Sequence, residues 1–146
     1  MLRENKYRGK RVDNGEWVYG YYFLMDNATI SNPTYIIPVY ASAFYGFEVI
    51  PETVGQYTTF DANDKQELYK GDIVKTKNIL YNNNEFITGT INFVDGCWVL
   101  EFEPCWDAID KCYRKSAYLK LFCETIGNYG MDKVGSIYNE LLKESE

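Results

Sequence analysis

The dipeptide Asp95-Gly96 stands between Gly89-Thr90-Ile91-Asn92-Phe93-Val94 and Cys97-Trp98-Val99-Leu100-Glu101-Phe102. Asp-Gly between two β-prone runs is among the strongest short-range hairpin signals. A two-residue turn that matches the natural twist of the strands needs positive φ at both central positions. Residues 89–102 are therefore expected to form an antiparallel ladder. Asn14-Gly15 repeats the signal between Lys6-Tyr7-Arg8-Gly9-Lys10-Arg11-Val12 and Glu16-Trp17-Val18-Tyr19-Gly20-Tyr21-Tyr22-Phe23, and predicts an N-terminal hairpin. Tyr, Phe and Trp make up 17% of the 146 residues, and such rings favour pleated, half-buried surfaces, so the expected class is mainly β with minor α.

The rest of the chain fits this class less sharply. Residues 24–34 read as a loop, and Tyr35-Ile36-Ile37-Pro38-Val39-Tyr40 as a strand that Pro38, lacking an N–H, confines to an edge or bends. Residues 41–50 read as a short helix or loop, and residues 51–58 as a strand running into the polar turn Asp61-Ala62-Asn63-Asp64-Lys65-Gln66. Leu68-Tyr69-Lys70-Gly71-Asp72-Ile73-Val74-Lys75 predicts a strand with a tight bend at Gly71-Asp72. Asn82, Asn83 and Asn84 mark a loop, and residues 104–116 a loop or short helix, with strands expected in Tyr118–Phe122 and Glu124–Tyr129. Asp132 as N-cap, followed by Val134, Ile137, Tyr138, Leu141 and Leu142 on one face, predicts a C-terminal helix. The architecture expected from these signals is an N-terminal β part over about residues 1–53, an SH3-like small barrel over about 54–130, and a helix over 131–146.

Composition narrows the chemistry. The chain has no histidine, which removes the commonest general base, the Ser/His and Cys/His nucleophile pairs and the commonest zinc ligand. Cys97, Cys105, Cys112 and Cys123 lack the closely spaced pairs that zinc sites use, so they read as reduced thiols, mostly small core residues. Asp61-Ala62-Asn63-Asp64 does not complete a Ca²⁺ loop, and Gly127-Asn128-Tyr129-Gly130 lacks the lysine of a phosphate loop. No cofactor, metal or catalytic residue is expected. Neither a membrane span nor a secretory leader is legible, which points to the cytoplasm.

The net charge of −6 is uneven: Arg3, Lys6, Arg8, Lys10 and Arg11 make the first eleven residues basic, while the body is acidic. An acidic body disfavours phosphate backbones, because affinity for nucleic acid comes largely from Lys and Arg. The basic N-terminus is a candidate interaction surface and leaves contact with nucleic acid open; a solvated strand edge with basic gatekeepers is the plainer reading. Tyr19, Tyr21, Tyr57, Trp98 and Trp106 read as sheet packing before base-stacking platforms. Self-association is expected through Tyr35–Tyr40 and through the helix face of Val134, Ile137, Leu141 and Leu142.

Pro51-Glu52-Thr53-Val54-Gly55-Gln56-Tyr57-Thr58, a polar turn, and Leu68-Tyr69-Lys70-Gly71-Asp72-Ile73-Val74 together resemble the signature of the YopX family of phage and prophage proteins. Lys6-Tyr7-Arg8-Gly9-Lys10 with Trp17-Val18-Tyr19-Gly20, and Glu124-Thr125-Ile126-Gly127-Asn128, occur where the family has similar segments. Thr59-Phe60 and the Asp61–Asp64 turn depart from the family pattern, as does the ending beyond Asp132. The resemblance implies a single mostly β domain over 1–146, encoded by phage or prophage, with Val54, Gly55, Gln56, Tyr57, Thr58, Gly71, Asp72, Ile73 and Val74 as structural signature residues. It implies no catalytic residue. The expected function is a non-catalytic accessory protein that binds a host or phage macromolecule, with a protein partner or a second copy as its target. The alternatives are an acidic nucleic-acid mimic that inhibits a host enzyme and a histidine-free carboxylate hydrolase.

Overall fold

The computed structural model describes residues 6–24, 34–38, 46–77, 86–107, 110–124 and 131–138. They are mainly β. Two compact units divide the chain, the first ending at Tyr57 and the second beginning at Thr58.

The first unit is built on β1 (Tyr7–Lys10), β2 (Trp17–Leu24), β3 (Thr34–Pro38), β4 (Phe47–Glu48), a 3-10 turn at Pro51–Thr53, and the start of β5 (Gly55–Asp61). Its strands lie in the order β4-β3-β2-β1-β5, all antiparallel where the register is given. The expected N-terminal hairpin forms, but with a longer loop than a two-residue turn. Lys10 faces Trp17, the Arg11 N–H donates to the Glu16 carbonyl at 2.9 Å, and only Gly15 of the Asn-Gly pair takes positive φ, at 72°. Val18, Ile36 and Val49 form the core, with Tyr7, Phe47 and Val54 packed against it. Period-2 alternation explains the selection: Gly9 sits opposite Val18, and a Cβ on Gly9 would lie 3.0 Å from Val49. The Lys10 N–H donates to Thr53 Oγ1 at 2.9 Å, tying the 3-10 turn to β1.

Thr34–Pro38 is not an outermost strand, since β4 pairs with Tyr35 and Ile36. Pro38 ends β3, opposite Gly20, and so leaves the ladder on either side intact. Val39 and Tyr40 lie outside the described residues, as do 25–33 and 39–45.

In the second unit the later part of β5 neighbours β6 (Glu67–Tyr69), and a five-stranded antiparallel sheet follows. Its strands are β7 (Asp72–Lys77), β8 (Phe86–Val94), β9 (Cys97–Asp107), β10 (Cys112–Tyr118) and β11 (Met131–Ser136), ordered β10-β9-β8-β7-β11, with α1 (Lys120–Glu124) after β10. Asp95 and Gly96 take φ of 51° and 81°, and Val94 pairs with Cys97, so the two-residue turn forms as read. Leu68, Val74, Ile91, Leu100, Phe102, Leu119, Phe122 and Met131 make the core.

Four expectations give way here. Among the described residues β10 and β11 end an open sheet, and no closed SH3-like barrel is formed. Residues 104–107 continue β9 past Pro104 instead of looping. The pairing jumps from Arg114–Cys105 to Ser116–Glu101, so Phe102-Glu103-Pro104 bulge opposite Lys115 and the missing proline N–H falls in the bulge. Residues 120–124 are helical, because burial falls on Leu119 and Phe122, three apart, while Leu121 is 43% exposed. Met131–Ser136 is a strand on β7, not the start of a helix. Asp132 pairs opposite Lys75 and accepts from the Asn63 side chain at 3.0 Å instead of capping. Gly135 weakens a helix there, and Val134 and Ile137 remain 57% and 51% exposed, so no helical stripe is docked. The remainder of the expected helix, with Leu141 and Leu142, and the expected strand over 125–129 lie outside the described residues.

Candidate functional site

Gly71 takes φ +92°, and a Cβ there would stand 2.5 Å from Tyr138 Cε2. Its N–H donates to the Ile91 carbonyl at 2.9 Å and its carbonyl accepts from the Ile137 N–H at 3.0 Å. One glycine thus joins the β6–β7 turn to β8 and to the segment after β11. Asp72 is wholly buried; its Oδ2 accepts the Tyr69 N–H at 2.8 Å and lies 3.3 Å from Lys133 Nζ. The Tyr69 hydroxyl donates to Glu67 at 3.0 Å. Ile73 is half-buried and Val74 fully buried. The Gly-Asp-Ile-Val stretch is therefore a turn-and-core device. Replacing Gly71 with alanine is expected to cost about 2–4 kcal/mol, from left-handed strain plus overpacking. Urea denaturation checks this, with Tyr138→Ala in the same chain recovering the overpacking part.

The other half of the signature is structural too. Val54 packs on the first core, Gly55 and Gln56 pair with Arg8 and Tyr7, and Tyr57 is 6% exposed. Thr58, 1% exposed, accepts the Phe60 N–H at 3.1 Å across Thr59, which takes φ 70°. Among the described residues, the signature lies in turns, strand pairing and core packing.

The basic strand is not the exposed patch the sequence suggests. Arg8 and Lys10 are 1% and 5% exposed; the Arg8 guanidinium lies 4.1 Å from the Trp17 ring centroid and Lys10 Nζ 5.5 Å from it. Lys6 Nζ sits 5.7 Å from the Tyr57 ring, and Arg11 stacks on Phe47 at 4.1 Å. Arg11 also donates to both carboxylate oxygens of Asp13, through Nε and Nη2, which holds the Asp13 carboxyl below its usual range. Cations and rings here serve each other, as cation–π pairs do. Arg3 lies outside the described residues.

What β2 exposes is mostly aromatic, with Tyr22 and Leu24 also exposed at its end. Val18 and Gly20 are buried, and Tyr19, Tyr21 and Phe23, alternating with them, are 37%, 58% and 42% exposed. They form one row on one face of the strand.

On the second unit's sheet, Thr90, Glu101 and Ser116 are direct cross-strand partners over β8, β9 and β10. Hollows of about 460, 520 and 270 Å³ run along this row. Ser116 lines the first two, and Thr90 and Glu101 line the second and third. The Asn92 side chain donates to Glu101 at 2.8 Å. At the far end Asp107, 3% exposed, accepts the Asp110 N–H at 3.1 Å through Oδ1 and Arg114 Nε through Oδ2, while Arg114 also bonds Asp110. The Asp107 and then the Asp110 carboxylate hold the Arg114 guanidinium above its usual range. Sequence reasoning missed this cluster by taking residues 104–116 as a loop or short helix. The mirrored triplets Cys105-Trp106-Asp107 and Cys112-Tyr113-Arg114 carried the signal, since they pair antiparallel with Trp106 opposite Tyr113.

Cys97 and Cys112 are exposed and Cys105 half-buried, which corrects the reading of the cysteines as mostly core residues. Both exposed thiols begin a strand directly after a turn, where the sheet offers little cover. The Cys123 side chain lies outside the description. Among the described residues no group of three or more metal-ligating side chains comes together, and no helix is long and apolar enough to cross a membrane.

Two antiparallel β units, the second with its β6–β7 turn set by a buried Gly-Asp pair, define a mainly β protein. The family model described as YopX protein matches residues 6–140, and the chain belongs to the YopX family. No curated protein and no solved structure matches it.

Proposed function

We propose that this chain is a non-catalytic accessory protein of phage or prophage that acts in the bacterial cytoplasm by binding a macromolecule. The observation that carries the reading is the row Tyr19, Tyr21 and Phe23, three large rings held in water on one strand face. Exposed aromatic rows are the residue type enriched at the centres of protein interfaces. A hydrolytic role finds less support: the chain has no histidine, and of the three acids of the first hollow, Asp95, Asp107 and Asp110, the last two are both bound to Arg114. Carboxylates whose oxygens are already bonded to a guanidinium are less available to a substrate.

The test is capture from a bacterial lysate by the full chain, beside a Tyr21→Ser/Phe23→Ser variant. Both positions face water, so the fold should survive. A protein retained by the natural chain and lost with the variant is the expected result. Equal capture by both, or turnover on a hydrolase substrate panel, would overturn the reading. Light scattering separates a foreign partner from a second copy: a mass near 17 kDa at every dilution excludes the second copy.

A further inference from the structure

We infer that the row of hollows over β8, β9 and β10 is a docking groove for an extended, lysine- or arginine-rich segment of a protein partner. The inference rests on the reading of the chain as a binding protein and adds a second surface with its own chemistry. Shape comes first. Thr90, Glu101 and Ser116 run perpendicular to the strands, and the hollows they join reach from the β6–β7 turn to β10. Three strands about 4.8 Å apart give a row of about 10 Å, which holds about three extended residues at about 3.3 Å each.

Charge then selects the occupant. Asp95, Glu101, Glu103, Asp107 and Asp110 line the hollows against Lys70, Lys115 and Arg114, an excess of two acids. Arg114 is already engaged by Asp107 and Asp110. Like-signed charge in a concavity concentrates the field and raises the local concentration of cations, while phosphate backbones are repelled. Asn92 holds one oxygen of Glu101, so the central carboxylate is already oriented. The lining of the first hollow includes Val94 and Val99, apolar surface suited to the methylene stems of lysine and arginine. Tyr118, 60% exposed at its edge, offers a ring to a cation. A nucleic-acid mimic needs an acidic ridge that enters a basic groove; here the acids line a depression, which receives a chain instead.

The experiment measures anisotropy of a fluorescein-labelled ten-residue peptide of alternating lysine and glycine with the full chain. A glutamate–glycine peptide and a ten-nucleotide oligothymidine serve as comparisons. Glu101→Lys and Glu103→Lys, both at exposed positions, are each expected to weaken binding of the lysine peptide at least fivefold, whereas Glu52→Lys, the same charge change in the other unit, shifts it less than twofold. Glu101→Gln and Glu103→Gln, which keep the side-chain shape, should give smaller losses in the same order. Equal loss at Glu52 would reduce the effect to overall charge and overturn the groove. Binding of the oligothymidine, or no binding of the lysine peptide, would overturn it as well. Loss of lysate capture in Tyr21→Ser/Phe23→Ser concerns the other surface, so either idea can fail while the other stands.

Discussion

Alanine in place of Asp72 is expected to remove about 3 kcal/mol of stability, a large part of the roughly 5–15 kcal/mol a domain of this kind possesses. The carboxylate is fully buried and does two jobs: it takes the Tyr69 N–H at 2.8 Å and faces Lys133 at 3.3 Å. Deleting it takes the side-chain acceptor from the Tyr69 N–H and the carboxylate from Lys133, whose Nζ keeps the Glu67 carbonyl at 3.4 Å. The usual cost of breaking a buried pair is about 3–5 kcal/mol. The low end applies because the Lys133 side chain keeps 17% of its surface in water and can turn outward. With a urea m-value of about 1–3 kcal/mol/M, the midpoint should fall by about 1–3 M. Asp72→Asn retains an acceptor for Tyr69 and loses only the charge, so roughly half the effect is expected. A shift below 1 kcal/mol for alanine would show that the turn does not depend on this carboxylate.

Gly20→Ala should be at least as damaging. A Cβ at that position would stand 1.9 Å from the Ile37 carbonyl oxygen, 2.7 Å from its carbon and 2.9 Å from Pro38 Cα. These are backbone atoms, which cannot rotate aside, so β2 and β3 must part along the Gly20–Pro38 end of their ladder. Ordinary overpacking costs about 1–3 kcal/mol, and a clash with backbone belongs above that range. Amide exchange is the direct readout, with protection lost at Tyr21 and Ile37 before the second unit responds. Gly96→Ala is the comparison: it takes φ +81° but meets nothing within 4 Å, so only the left-handed penalty of about 1–2 kcal/mol applies. Similar losses at both glycines would mean the close approach at Gly20 carries no energy.

The parts of the fold legible in the sequence were those fixed by local chemistry. Asp95-Gly96 needs no distant partner to make its turn, and the bend at Gly71-Asp72 was read correctly for the same reason. The misreadings arose where a local rule met a tertiary one. Pro104 looked like a terminator, yet a bulge absorbs its missing donor; Asp132 looked like a cap, yet β7 offered it a ladder. Arg8 and Lys10 were read as surface because buried cations are rare, whereas both lie against the Trp17 ring across the hairpin. Burial of this kind depends on cross-strand neighbours, which residue type alone does not reveal. The Asp107–Arg114–Asp110 cluster needed the β9–β10 pairing before its members could be seen as neighbours.

Strands β8, β9 and β10 carry two interleaved sets of residues, Ile91 and Leu100 turned to the core and Thr90, Glu101 and Ser116 turned to the hollows. Because the sets alternate along the same backbone, a mutation in one leaves the other untouched. A lineage can therefore exchange glutamate for glutamine or lysine across the outward row while the inward row continues to select for a folded chain. Under the proposed docking role, partner preference is free to drift quickly at constant stability, and homologues are expected to diverge most at positions 90, 101, 103 and 116 and least at 91 and 100.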